Sequence, residues 1–304
     1  MWRDGTVLAL RRSWGAVGRR CVELDVRVGA APAGATAMTA GEELRAVAYE
    51  TLTGAPEPGE RVRLEVSALD RELGTGGHAM VCARLDVLPE DSACAGHLVK
   101  ARYMPDQVVV AGVDEQGTEH HGLLASPVDD LVLGGTPVVV ADLHSSLPAV
   151  LAGARATGGA RGPVRAVYVM TDGGALPLPY SRTAAALRGA GWLAGTVSAG
   201  QAWGGDVEAV SVHNALLAAR RILGADLIVL AQGPGNLGTD TPWGFSGVAC
   251  GDAVNAVAAL GGRAVACLRV SQADARARHR GVSHHSLTAY GRVALTAADI
   301  VVPG

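Results

Sequence analysis

The chain is poor in aromatic residues and has no closely spaced cysteines. Only 4% of its 304 residues are aromatic, so a core built from alanine, valine and leucine is expected. The five cysteines are odd in number and widely spaced, which argues against a disulfide framework and a structural zinc knuckle. The apolar fraction of 49% is still sufficient for a large α/β domain and a small second domain.

Long apolar runs and a strong charge of either sign are also missing. No run approaches the roughly 18 to 20 apolar residues that a membrane helix needs, and the apolar stretch near the N-terminus is too short for a signal peptide. A net charge of −3 predicts no broad surface for nucleic acid or membrane. We therefore expect a soluble, cytoplasmic protein. Nucleic acid is a disfavoured partner, while a homo-oligomer is compatible with the sequence.

The residue pattern changes along the chain and indicates two domains. Residues 1–92 contain five short segments rich in β-formers and separated by glycine and proline, which predict a small barrel of SH3-like or OB-like type. Later segments such as "TPVVVADL" and "ADLIVLA" are continuously apolar and alternate with helical patterns. This alternation predicts the α/β class, with a mostly parallel sheet in a three-layer α/β/α domain at residues 93–304.

Polar side chains follow the predicted strands of this sheet. Ligands bind at the carboxyl ends of the strands in open parallel sheets, so these positions are candidates for a site. They include Asp142, Asp172 and Arg269. Helix capping explains part of this polarity, since Asp206 can start the helix of "DVEAVSVHNAL" and Ser145 can cap "SLPAVL".

The stretch "GPGNLG" follows a predicted strand and formally fits the pattern G-x-G-x-x-G. The proline within it and the delayed helix argue against a dinucleotide site, and Thr239 stands where a P-loop lysine would be. Two interpretations stay open. Either Gly233, Gly235, Gly238 and Thr239 hold a small anionic ligand, or the loop is purely a structural turn.

The stretch "RVSQADARARHRGVSHHSLTAY" concentrates four arginines and three histidines near the C-terminus. Its "SQAD" predicts a capping box, with Ser271 as the N-cap of a helix of about nine residues that ends at Gly281. Such a helix would present Arg276, His279 and Arg280 on one face.

Ser283 is predicted to cap a second helix, with His284 and His285 in its first turn. The positive end of a helix disfavours a protonated imidazole, and neutral histidines suit metal ligation or hydrogen-bond donation. The spacing matches no standard metal motif. Adjacent helical residues also point about 100° apart, so only one of the pair is expected to face a given site.

These observations favour an enzyme that acts on a small anionic metabolite, such as a phosphorylated one. The arginines would pair with the anion, and a histidine oriented by a carboxylate would act as general acid or base. No metal ligand is assigned under this hypothesis, and the cofactor is unknown. The catalytic candidates are His279, His284, Asp172 and Glu208. The ligand-binding candidates are Gly233, Gly235, Gly238, Thr239, Arg269, Arg276 and Arg280.

Two alternatives stay open beside this hypothesis. The first is a metal-dependent hydrolase, in which Zn or Mn bound by His144, Asp172, Glu208 and His284 activates water. The second is a ligand-binding or regulatory protein without catalysis, which shares the anion pocket. Lys100, the only lysine in the chain, indicates either a need for a compact ammonium or chance.

Several motifs together resemble a bacterial family known as domain of unknown function 3866. They include "LGTGGH", "GHLVKARYMPDQ", "MTDGGALP", "GPGNLGT" and "RVSQADARARHRGVSHHSLT", and they occur in order over nearly the whole chain. The resemblance implies a bacterial, cytoplasmic protein. It supplies no reaction, cofactor or catalytic residue.

Overall fold

The structure is a computed structural model that describes residues 1–91, 93–156 and 164–302. The chain forms two compact units. One comprises Met1–Cys94 with Met104–Asp106, and the other comprises Ala95–Tyr103 with Gln107–Gly304. A domain boundary at residue 92 stays a prediction.

The first unit contains a closed five-stranded barrel, counted within residues 1–91. Its elements are β1 (Trp2–Trp14), β2 (Cys21–Ala30), β3 (Glu43–Tyr49), α1 (Glu50–Thr53), β4 (Arg61–Glu65), α2 (Ser67–Asp70) and β5 (Ala79–Arg84). The strand order is β1-β2-β3-β5-β4, and β3 pairs with β5 in parallel while the other neighbours are antiparallel. The small barrel predicted from the sequence is confirmed, while the choice between the SH3-like and OB-like types stays a prediction.

The barrel core is formed by alternate residues of its strands, as the period of two in a β-strand requires. Leu24, Val26, Val62 and Leu64 are completely buried within it. On the outer surface, arginines lie beside carboxylates. For example, Nε of Arg63 lies 2.8 Å from Oδ1 of Asp4. The barrel surface is therefore neutralised locally where such pairs form.

The second unit contains a sheet, two small hairpins and several helices. Its strands are β6 (Leu98–Lys100), β7 (Val108–Val110), β8 (Pro137–Ala141), β9 (Ala166–Thr171), β10 (Gly195–Ala199), β11 (Val207–Ala209), β12 (Leu227–Gln232), β13 (Arg263–Cys267), β14 (Val270–Ser271), β15 (Gly281–Val282) and β16 (Asp299–Ile300). Its helices are α3 (His121–Leu124), α4 (Leu147–Ala156), α5 (Arg182–Gly189), α6 (Val212–Arg221), α7 (Ala249–Ala259) and α8 (His284–Thr288).

Seven of these strands, within the described ranges, form one sheet in the order β11-β10-β9-β12-β8-β13-β16. Each neighbouring pair is parallel. Leu151 of α4 packs with Tyr168 on one face, while Leu216 of α6 and Val257 of α7 pack with Ile228 on the other. The predicted α/β class, with a parallel sheet covered on both faces and a preceding barrel, is confirmed. Among the helices that the structure describes, none combines the length and apolarity needed to cross a membrane.

One predicted helix is wrong at its beginning. The segment "DVEAVSVHNAL" contains the edge strand β11 before α6, and β11 pairs in parallel with β10. Asp206 does not cap a helix, because its carboxylate accepts hydrogen bonds from the amide and the hydroxyl of Thr196. Ser211 is the cap of α6 and accepts from the amide of Asn214.

Candidate functional site

The stretch that follows β13 forms a small hairpin rather than the predicted helix. β14 pairs with β15, and the helical residues between them are a single 3-10 turn, Ala277–His279. The hydroxyl of Ser271 accepts from the amide of Asp274 in a local turn. The capping box does not form, because the carboxylate of Asp274 bonds to arginines instead of the amide of Ser271. The prediction of a nine-residue helix was therefore wrong.

Asp274 gathers the three arginines that the sequence assigned to ligand binding. Its carboxylate lies 3.2 Å from Nη2 of Arg269 and 3.0 Å from Nε of Arg276. Its backbone carbonyl accepts from Nε of Arg280 at 3.0 Å. The hydrogen bonds from Arg276 hold the pKa of Asp274 well below its usual range. These arginines therefore already have a carboxylate or carbonyl partner within the hairpin.

Three histidines meet beside the carboxyl ends of β8 and β13. One ring nitrogen from each of His279, His284 and His285 lies within 4.8 Å of the others. The ring centroids of His284 and His285 are only 4.4 Å apart, so both adjacent histidines face the same place. The expectation that only one of them would do so was wrong. We call these three residues the histidine cluster.

Ser283 orients two members of the histidine cluster. Its hydroxyl accepts from the amide of His285 and caps α8, as predicted. The same hydroxyl lies 2.8 Å from Nδ1 of His279. Because Nδ1 of His279 is occupied in this way, its Nε2 is the nitrogen available to a ligand.

Several polar atoms around the cluster are buried and have no hydrogen-bond partner. They are Nε2 of His284, Nδ1 of His285 and Oδ2 of Asp142. Asp142 directly follows β8, and its Oδ2 lies 3.9 Å from Nδ1 of His285. Buried polar atoms usually have partners, and unpartnered ones in a cluster point to an ion or ligand.

The environment keeps the histidines neutral. Burial lowers the pKa of His279 and of His284, and nearby arginines lower both further. Burial lowers the pKa of His285 to about 4. Burial also raises the pKa of Asp142, against the opposing effect of Arg269. Neutral imidazoles are the form that binds a metal ion.

The loop that carries "GPGNLG" lies against the histidine cluster. Phe245 stacks on His285, with ring centroids 3.8 Å apart and planes inclined by 5°. Gly238 forms a bridge with Phe245, and Asp240 pairs with Nη1 of Arg278 at 2.5 Å. The predicted glycine loop and the predicted histidines are therefore neighbours.

The loop residues assigned to anion binding, however, have structural explanations in the folded chain. The amide of Gly233 donates to the carbonyl of Thr171, and the amide of Thr239 donates to the carbonyl of Gly244. The hydroxyl of Thr239 bonds within the same turn. Gly235 has a φ of +81°, which explains glycine there. These contacts agree with the structural interpretation of the loop, and an anion cradle at these residues stays a proposal without support.

The two carboxylates assigned to catalysis lie away from the histidine cluster. Glu208 sits on β11, and its carboxylate accepts from the hydroxyl of Ser198 and pairs with Lys100. Five strand spacings separate β11 from β13, or about 24 Å at 4.8 Å each. Asp172 follows β9 and accepts from the amide of Gln201 at 2.9 Å. Glu208 therefore cannot orient His284.

The metal ligands proposed from the sequence do not come together either. Both ring nitrogens of His144 are occupied, Nδ1 by the hydroxyl of Tyr168 at 3.0 Å and Nε2 by that of Ser181 at 2.7 Å. Of the set His144, Asp172, Glu208 and His284, only His284 belongs to the histidine cluster.

A cavity of about 300 Å³ opens beside Asp142, at the carboxyl ends of β9 and β12. Gln232, Leu230 and Cys250 form its buried wall, and Asp172 and Asp252 are exposed residues of its lining. Burial raises the pKa of Cys250 to about 12, so its thiol is neutral and not an activated nucleophile. Nε2 of Gln232 donates to the carbonyl of Asp142, which connects the cavity to the histidine cluster.

Sequence reasoning missed several of these residues as site residues. Asp142 was noticed only as a polar residue after a strand, and His285 was set aside for geometric reasons. Gln232 reads as the last residue of an apolar strand. Phe245 carried a signal, since it is the only phenylalanine in the chain. Arg278 was not separated from its neighbouring arginines, although its Nε is buried without a hydrogen-bond partner.

Comparison with known families gives one match. The profile of a family described as "Protein of unknown function (DUF3866)" matches residues 45–304. The chain belongs to this family. The matched region of this DUF3866 protein includes the histidine cluster, the glycine loop and the cavity, and it begins within β3. No curated protein and no solved structure matches the chain.

Proposed function

We propose that this DUF3866 protein is a metal-dependent hydrolase whose metal ion is held by His279, His284 and His285. The observation that carries the proposal is the convergence of three histidine nitrogens within 4.8 Å, beside buried nitrogens that have no other partner. Three neutral histidines with an open fourth position are a ligand set typical of catalytic zinc.

The surroundings of the cluster support a resident ion. Phe245 stacks on His285 and Ser283 fixes His279, so two of the three rings are held in place before any ion binds. Imidazole nitrogen is suited to Zn and to other first-row transition metals, and much less to Mg or Ca. Zinc is therefore the first ion to test, followed by manganese and iron.

Asp142 is suited to the role of general base. Its carboxylate is buried, has an oxygen without a hydrogen-bond partner and lies next to His285. A metal ion in the histidine cluster would make bound water more acidic. Asp142 would accept a proton at its buried carboxylate, whose pKa is raised by burial and, in the opposite sense, lowered by Arg269.

Arg278 extends the site toward an anionic group of the substrate. It comes from the 3-10 turn next to His279 and reaches Asp240 with one end of its guanidinium. Its Nε is buried and has no hydrogen-bond partner. An anionic oxygen that contacts both the ion and Arg278 would be stabilised as charge develops in the transition state. This retains the anionic substrate expected from the sequence, with Arg278 as the arginine involved.

The first experiment is elemental analysis of protein purified without a polyhistidine tag and without chelators. We expect about one equivalent of zinc, manganese or iron per chain. His284→Ala and His285→Ala should each lose the ion. His144→Ala is the matched control, because His144 is also a buried histidine but has both nitrogens occupied. Metal-free wild-type protein that also fails to bind added zinc would refute the proposal.

A second experiment tests catalysis separately from binding. The metal-loaded protein would be assayed with p-nitrophenyl acetate and p-nitrophenyl phosphate as generic substrates. Asp142→Asn should keep the ion and lose turnover by about 100-fold or more, as expected for a general base. If Asp142→Asn retains full turnover, the assignment of Asp142 is wrong. If the metal-loaded wild type turns over neither these substrates nor a panel of small esters, amides and phosphates, the ion is structural.

A further inference from the structure

We propose that the cavity beside Asp142 binds a protonated amino group of the substrate. The cavity has a volume of about 300 Å³, at the lower end of the range of small-molecule sites. The inference deepens the proposed function, on which it rests for the identification of the ligand as a substrate. The binding site itself is argued from the residues of the cavity.

Gln232 supplies the observation that points to a hydrogen-bond donor. Its side chain is 4% exposed and lines the cavity, and its Oε1 is buried without a partner. Nε2 donates to the carbonyl of Asp142 at 2.8 Å, which fixes the orientation of the amide, because a carbonyl oxygen can only accept. The unpaired acceptor therefore belongs to a residue of the cavity wall, and leaving it unpaired is costly.

Gly173 approaches this acceptor closely. It lines the same cavity, and a Cβ at this position would lie 2.4 Å from Oε1 of Gln232. A side chain there would collide with the amide. Glycine is thus explained by the close approach of its backbone to the buried amide of Gln232.

The lining of the cavity carries negative charge. Asp172 and Asp252 both line it and are exposed to solvent, and His213 lines it as well. The remaining lining includes the apolar side chains of Val212 and Leu230. A buried acceptor, two carboxylates and apolar walls together suit an ammonium group on a small apolar body.

The position in the sheet also suits a substrate. The cavity lies between the carboxyl ends of β9 and β12. The helix after β9, α5, packs on one face of the sheet, and the helix after β12, α7, packs on the other. Such a switch point forms a crevice in which open α/β sheets bind ligands.

One feature of the cavity favours an anion instead of an amine. The amino end of α7 borders the cavity, and the amino end of a helix carries partial positive charge. Asp252 lies in the first turn of that helix and offsets its positive end. An amine and a carboxylate of the same shape therefore distinguish the two possibilities. We infer that the amine is preferred.

The experiment compares cyclohexylmethylamine with cyclohexanecarboxylate, using saturation-transfer NMR and calorimetry on the wild-type protein. The amine should bind at least about tenfold more tightly, the effect of one buried hydrogen bond to a charged group. Gln232→Leu and Gly173→Ala should each weaken binding of the amine by about tenfold or more, the first by removing the acceptor and the second by displacing the amide that carries it. Equal or tighter binding of the carboxylate, or unchanged binding in both variants, would overturn the inference.

Three further variants complete the test and keep this inference separate from the proposed function. Asp252→Asn should weaken the amine, whereas Asp226→Asn, at a position outside the cavity lining, should not. His284→Ala should bind the amine as the wild type does, although it cannot hold the metal ion. Amine binding in a protein that never takes up metal would leave this inference standing and remove the proposed function. A metal-loaded protein that prefers the carboxylate would leave the proposed function standing and overturn this inference.

Discussion

Nζ of Lys100 lies 2.8 Å from Oε2 of Glu208, and both side chains are buried. The ammonium also donates to the backbone carbonyls of Ser198, Ala202 and Ala209 at 2.7 to 3.1 Å. A compact ammonium fits between converging carbonyls, whereas a planar guanidinium does not. The geometry therefore supports the first explanation of the single lysine, a need for its compact charge.

We predict that Lys100→Met destabilises the protein by about 3–5 kcal/mol, because it leaves Glu208 buried without its counter-charge. Lys100→Arg should also destabilise it, since the larger group must displace the carbonyls. Urea unfolding followed by circular dichroism measures both effects. Arg221→Lys, an exchange at an exposed position, is the control and should stay within about 0.5 kcal/mol. A Lys100→Met protein as stable as that control would contradict this account of the pair.

Removal of the aromatic ring beside His285 should weaken metal binding. Phe245→Ala takes away the stacked neighbour of that ligand, so we expect the affinity for zinc to fall about 10-fold or more. Competition with a chromophoric chelator measures the change. Trp243→Ala alters an exposed aromatic residue in the same loop and should leave the affinity unchanged. Equal losses in both variants would mean that the loop, and not the stacking, is responsible.

The loop that follows β9 approaches the glycine loop so closely that a side chain at Gly174 should destabilise the fold. A Cβ on Gly174 would lie 2.4 Å from the carbonyl oxygens of Gly233 and Gly235. Gly174→Ala must therefore push these loops apart, at a cost of about 1–3 kcal/mol. Gly189→Ala, at the end of α5 with no atom near its Cβ, is the control and should be neutral or slightly stabilising. Thermal unfolding of the two variants gives the comparison.

We expect the buried side chain of His144 to make the free energy of unfolding depend on pH. Burial lowers its pKa in the folded state to about 4, below the ordinary value of 6.5. Between these values the unfolded chain binds a proton that the folded protein does not, so stability falls as the pH falls from about 6.5 toward 4. The contribution lost is on the order of 3 kcal/mol.

His144→Asn removes this titration and should flatten the dependence of the unfolding free energy on pH in that window. The measurement is the difference between wild type and variant, since the histidines of the cluster, whose pKa values are also lowered, contribute to the pH dependence of stability. An unchanged slope would show that His144 is not the group that responds.

Much of the fold could be predicted because its long elements carry clear patterns. The barrel strands alternate, and strands such as Ala166–Thr171 are almost continuously apolar because helices cover both faces of the sheet. The strands of two or three residues, such as Val207–Ala209 and Val270–Ser271, are too short to show a period. The false helix after Ser271 arose from a local capping pattern whose acidic residue instead bonds to arginines of the same hairpin.

The candidate site was predictable as a region but not as a set of contacts. The rule that parallel sheets bind ligands at their carboxyl edge brought His279, His284 and the glycine loop into one hypothesis. The order of the strands was not readable from the sequence, so Glu208, on the edge strand β11, was grouped with residues five strands away. The inclusion of Asp142 and His285 depends on side-chain directions that only the folded chain reveals.

Because Lys100 is buried, proteolysis at this residue can measure local unfolding of the protein. A protease that cuts only after lysine has a single target in the sequence, and that bond lies at the end of β6. In the folded state the side chain that such an enzyme must recognise is 2% exposed. Cleavage therefore requires the β6–β7 hairpin to leave Ser198 and Glu208. The rate at which the intact chain disappears would measure how often this hairpin detaches while the rest of the protein stays folded.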